Sequence, residues 1–145
     1  MRKFSFRLEP VLKQRAAAEE RAALEQARAQ EEYNCRYASY REAREKLARV
    51  AQDAAAEDLF DFVNKMSYCS YMHGEVKKRE EMVHSARRKL ENCRHKLVQA
   101  MQERSVLEKL REKQLNFYNL AAKRSEQKET DEIAIQRYVY KQDLI

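Results

Sequence analysis

The sequence predicts an all-α fold: a long antiparallel two-helix coiled-coil hairpin whose C-terminal helix is the longer. Three observations lead there. One Gly and one Pro in 145 residues leave almost nothing from which to build turns. Ala, Glu, Lys, Leu, Arg and Gln dominate and 37% of residues are charged, the composition of long helices and coiled coils. Between Leu59 and Leu120 the apolar residues recur in steps of seven. Phe62, Cys69, Val76, Val83, Leu90 and Leu97 form one line. Met72, Arg79, Ala86, Cys93, Ala100 and Leu107 form a second, with Arg79 its one charged member. Two such lines interleaved by three and four are the seam of a coiled coil, and a seam requires a second helix to cover it.

The elements follow in order, as a single hairpin domain over 1–145. Residues 3–6 alternate Lys3, Phe4, Ser5, Phe6, and Pro10 sits close behind. Proline is tolerated in a first helical turn, where amides have no intrahelical acceptor. Helix 1 is therefore expected from about 6 to 52. Its seam is weaker: Leu12, Glu19, Gln26, Tyr33, Tyr40 and Leu47 on one line, Leu8, Arg15, Ala22, Ala29, Arg36, Ala43 and Val50 on the other. Polar residues at such positions lower stability and can fix register and partner choice. A turn is expected near 53–58, with Asp58 as N-cap of helix 2, which runs from about 59 to 140. A short connection between two long helices favours an antiparallel pair. A turn at 55–56 places Tyr40 opposite Tyr71 and Leu47 opposite Asn64 and Lys65, with Tyr33 and Tyr37 also facing the stretch from Tyr71 to Lys78. Helix 1 is then used up near residue 105, and helix 2 overhangs it by about thirty-five residues, roughly 50 Å. Gly74 falls inside helix 2, as a kink, a close approach or a tolerated surface residue.

Several function classes find no equipment here. A phosphate-cradling loop needs two glycines before its Lys. HExxH and CxxC are absent from the sequence. His73, His84 and His95 share a helix face but stand about 16 Å apart, too far for one metal. Cys69 and His73 are spaced for two ligands, yet Cys69 and Cys93 lie on the seam lines, where a small apolar residue is expected. Paired carboxylates such as Glu19–Glu20, Glu31–Glu32 and Glu80–Glu81 are adjacent residues on open helix, without the burial that acid–base work requires. No catalytic residue, cofactor or metal is expected, and the chain reads as a non-enzyme. The net charge of +6 comes from 30 basic and 24 acidic residues in mixed order. Only 77–79 and 87–89 are dense basic runs, both with carboxylates close by, so no nucleic acid is expected as a partner. Three Cys and no apolar leader point to reduced thiols in the cytosol. No apolar stretch is long enough to cross a bilayer, so no direct membrane insertion is expected.

The two ends are the informative segments. KFSFRLEPVLKQR (3–15) resembles the start of FliJ-type flagellar export proteins, with an F-x-F-R-L-E-x-V-L-x-x-R pattern. LEKLREKQ (107–114), followed by EQKETDEIAIQRY (126–138), resembles that family's C-terminal signature, and order, spacing and length also fit. The resemblance implies a non-catalytic coiled-coil stalk, similar to the stalk of the rotary ATP synthase gamma subunit. It implies binding and stimulation of the hexameric flagellar export ATPase, a link to the export gate membrane protein, and contact with export chaperones. It places the chain in the cytoplasm, peripheral at the cytoplasmic face of the inner membrane through protein partners. On matched positions, Phe4, Phe6, Arg7, Leu8, Val11 and Leu12 would contact the ATPase, with Leu107, Leu110, Arg111, Asp131, Glu132 and Tyr138. The gate contact is sought among Leu59, Phe60, Phe62, Met66 and Tyr71, where aromatics exceed what the seam needs. The stalk of a virulence type III secretion ATPase, or a generic coiled-coil scaffold or homodimeric adaptor, fits the same composition.

Overall fold

The computed structural model describes residues 3–53 and 55–142, and among them the fold is two helices, α1 (Glu9–Gln52) and α2 (Leu59–Gln142). Two compact units are distinguished by their contacts: unit 1 comprises 1–17 and 102–145, unit 2 comprises 18–101. Each is an antiparallel pairing of one segment of α1 with one of α2.

In unit 2 the paired lines of the sequence become a narrow core. Ala29, Ala43, Met72, Ala86, Leu90 and Cys93 are buried, and Ala29, Leu90 and Cys93 pack with Tyr33 as a cluster. Small residues on α1 face larger ones on α2, which lets the two backbones approach closely. Of the α2 lines, every member from Cys69 to Leu107 is buried or half-buried, whereas Phe62 is 51% exposed. Arg79 stays on the seam because its guanidinium donates to the Ser39 carbonyl at 3.0 Å, with Glu75 3.9 Å away on its own helix. A half-buried cation satisfied at one place on the opposite helix favours one register over others.

That register differs from the expected one. Arg79 meets Ser39, Met82 meets Arg36, Lys89 meets Glu32 and Arg94 meets Gln30. Against a tight turn at 55–56 these contacts are displaced along α2 by seven residues at Ser39 and Arg36, ten at Glu32 and thirteen at Gln30, about two turns or more. Tyr40 does not lie opposite Tyr71, which is 64% exposed. Along α1, Tyr33 stacks on Tyr37 at 6.1 Å between ring centroids, and Tyr40 lies tilted against Tyr37 at 6.3 Å. The cause lies in the connector. Ala55 accepts a hydrogen bond from Lys65 through its carbonyl, so the non-helical residues run beside the first turns of α2 rather than turning at once. Ala54, in the expected turn, lies outside the described residues. Asp58 caps α2 as expected: its carboxylate accepts from the Leu59 amide at 2.6 Å and its carbonyl from the Phe62 amide at 2.9 Å. Asp61 reaches back to the Glu57 amide at 3.4 Å, a variant of the capping box.

In unit 1 the chain begins extended, and α1 starts at Glu9 rather than near Phe6. Alternation explains the difference. In an extended segment Phe4 and Phe6 point to one side, and here Phe6 is buried while Phe4 lies against Tyr118 at 5.6 Å. A helix through Phe6 would turn the two rings apart. Glu9 donates to the Phe6 carbonyl and Leu12 to the Leu8 carbonyl, closing the first turn around Pro10. Arg15 pairs with Glu103, and Arg111 with Glu9 at 3.5 Å. The N-terminal segment thus covers α2 to Tyr118, not to residue 105, and the uncovered part runs from Asn119 to Gln142, about 36 Å.

Gly74 is an ordinary helical residue; an added Cβ would meet nothing within 4 Å. Gly74→Ala should raise the unfolding free energy by about 1 kcal/mol through backbone entropy. Leu90→Ala should lower it by about 2–3 kcal/mol, through lost burial and a residual cavity in the seam. Urea denaturation of both variants checks these values, and an Ala at 90 that leaves stability unchanged would contradict the seam.

Candidate functional surfaces

The described residues hold no group of three His, Cys, Asp or Glu side chains placed to bind a metal. His73, His84 and His95 are exposed along α2; Cys35 is exposed, Cys69 half-buried and Cys93 part of the seam. The concavities are shallow grooves open along helix surfaces, such as the one lined by Phe117, Leu120, Ala121, Arg124 and Lys128. What this arrangement can offer is surface.

The ring-end candidates divide into two kinds. Phe6 and Leu12 are buried, and Phe4, Leu8 and Leu107 half-buried, so these five form the packing of unit 1. Val11 and Leu110, both 37% exposed, border it. Arg7 is exposed, and Arg111 is engaged with Glu9. Asp131, Glu132 and Tyr138 are exposed on the part of α2 that no α1 residue accompanies. Of the apolar residues not named for this contact, Ile135 at 63% and Tyr140 at 76% are exposed on that part, and Phe117 at 71% just before it.

At the connector end of unit 2, Leu59, Phe60, Phe62, Met66 and Tyr71 are all exposed. Val63, 53% exposed, lies among them. Asp61 pairs with Lys65 at 3.1 Å beside this patch.

The flank of the unit 2 seam is electrostatic. Lys89 donates to Glu32 at 2.7 Å. This hydrogen bond and the charge of Lys89 hold the Glu32 carboxyl below its ordinary value of 4.5, and Glu32 in turn holds the Lys89 ammonium above 10.5. Glu42 is likewise lowered by its hydrogen bond and charge pairing with Lys46, 3.0 Å away. A lowered carboxylate supports the fold above its ordinary value and loses that support as pH falls through the lowered one. A raised ammonium supports it below 10.5 and loses that support as pH rises past the raised value. All these groups are solvent-facing and screened by salt.

The described residues form two helices that carry exposed apolar surface in each unit. The sequence profile of the family described as flagellar FliJ protein matches residues 4–143 of the 145. The chain belongs to that family, and so to the components of the flagellar export apparatus. No curated protein and no solved structure matches it significantly. No described helix is long and apolar enough to cross a membrane.

Lys89→Gln should move the Glu32 titration midpoint up toward the ordinary carboxylate value, as followed by side-chain carboxyl NMR. A midpoint that stays where it was would show that Lys89 is not the cause.

Proposed function

We propose that this chain is a stalk of the flagellar export machinery that binds and stimulates the hexameric export ATPase through unit 1 and contacts the export gate through unit 2. The observation that carries the first half is the apolar surface of α2 beyond Tyr118. Ile135, Tyr138 and Tyr140 are each more than 60% exposed, with no α1 residue beside them. Apolar side chains repeated along a single helix in water favour insertion into a partner. Asp131 and Glu132 border this stripe and supply charge that a basic-lined ring opening would select. The packed residues Phe4, Phe6, Leu8, Leu12 and Leu107 hold the base of this segment in place, while Arg7, Val11, Leu110 and Arg111 add surface near it.

The gate contact is assigned to Leu59, Phe60, Phe62, Met66 and Tyr71, all of which are exposed. Export chaperones are the remaining class of partner, and the groove around Phe117 and Leu120 offers them apolar surface.

The test is the ATP hydrolysis rate of the cognate export ATPase, titrated with this chain and with Tyr138→Asp. The wild type should raise the rate severalfold at saturation. The variant should keep the same helix content by circular dichroism and lose most of that stimulation, because a carboxylate on the apolar stripe must be desolvated on insertion. No stimulation by folded wild type of an active ATPase would overturn this reading.

A further inference from the structure

The seam line of α2 runs one heptad further than α1 covers it. Phe62 continues the line of Cys69, Val76 and Val83, yet it is 51% exposed. By the offset of Ser39 with Arg79, Gln52 at the end of α1 stands level with about residue 66 of α2. The connector therefore climbs about seven residues of α2, roughly 10 Å, before it enters at Leu59. The residues between Gln52 and Leu59 reach about 24 Å when extended. That suffices for this climb, and equally for a plain crossing between helices about 9 Å apart. The length of the connector thus does not tie α1 to its observed height.

The contacts across the seam also repeat one heptad away. Sliding α1 by one heptad toward the start of α2 brings Ala22 to the place of Ala29 beside Leu90 and Cys93, and Val50 against Phe62. The polar groups find substitutes. Arg36, now donating to the Met82 sulfur, meets Glu75, and Arg79 exchanges the Ser39 carbonyl for Glu32. Gln30 exchanges Arg94 for Arg87, and in unit 1 Glu9 exchanges Arg111 for Arg104. The slide loses Lys89 with Glu32, Arg15 with Glu103 and Phe4 with Tyr118. It also puts Arg36 in the place of Ala43, which is fully covered. These losses make the observed alignment the resting one. The opposite slide sets Arg36 against Lys89 and draws the connector taut, at about 23 Å.

We infer that the helix pair is a two-position device in which α1 rests in the observed alignment and can slide one heptad toward the start of α2. The first position leaves Phe62 of unit 2 open and Phe4 packed on Tyr118 in unit 1; the second reverses both. A ligand that binds either ring only when it is open therefore biases the alignment, whichever partners the chain has. Spin labels on Cys35 and on Gln99→Cys, both exposed positions, with Cys69→Ala and Cys93→Ala, read α1 against α2 along the axis by dipolar electron paramagnetic resonance. The full chain should give the distance of the observed alignment. Phe4→Ser/Glu103→Lys, which removes contacts made in that alignment alone, should add a second distance about 9 Å longer. Deleting residues 54–57 leaves a connector with a reach of about 10 Å, enough to cross between the helices and not to climb. The deletion should move every molecule to the longer distance with helix content kept by circular dichroism. Glu75→Gln should then lower its thermal midpoint more than that of the full chain. A single short distance in Phe4→Ser/Glu103→Lys, or a deletion variant that keeps the short distance by unwinding α1, would overturn the inference.

Discussion

Everything in this protein depends on one narrow line of contact. Two helices side by side can bury only the side chains that face each other, so each contributes a single stripe and leaves the rest in water. The seam cannot be widened by larger residues without pushing the helices apart, and here Ala29, Ala43 and Ala86 keep them close while Leu90 and Met72 fill the space between. A fold with so little interior has no enclosed place for chemistry among its described residues. Its informative features are therefore departures from the seam: a cation within it, and apolar residues outside it.

Arg79 is the first kind of departure. On an apolar line it weakens the core, yet it finds the Ser39 carbonyl and makes one alignment better than its neighbours. Arg36 with Met82 repeats the same offset, and Lys89 with Glu32 and Arg94 with Gln30 reach across further along α2. Exposed pairs add little stability each, but alignments shifted by a heptad would lose all of them together. Register is thus specified by polar contacts, while cohesion comes from the apolar and small residues between them.

Much of this was legible in the sequence. The seven-step lines from Cys69 to Leu107 report burial directly, because a helix turns each line toward the same neighbour. Asp58 reads as a cap since a carboxylate before an apolar run has amides to satisfy. The alternation of Phe4 and Phe6 was also visible, but Pro10 drew the helix start too early; a prolyl residue is accepted anywhere in the first turn and does not say which residue comes before it. Register was not legible. Periodicity determines which face is buried and says nothing about which turn of the partner lies opposite. That depends on the path of the connector beside α2, a matter of a few hydrogen bonds around Ala55 and Asp61. The candidate surfaces inherited this gap: Leu107, expected at the ATPase contact, is part of the packing of unit 1, while Ile135 and Tyr140 are exposed and were not named for it.

The alignment of the helices in unit 2 is the central claim, because it decides which apolar residues are left for partners. It is tested most directly by dipolar electron paramagnetic resonance between spin labels on Cys35 and on α2, with Cys69 and Cys93 replaced by Ala. Labels at Ser85 and at Lys78 occupy the same heptad phase seven residues apart, so they differ in height along the helix and hardly in direction. The observed register predicts the shorter distance for Cys35 with Ser85. A shorter distance for Cys35 with Lys78 would restore the tight turn and contradict this account.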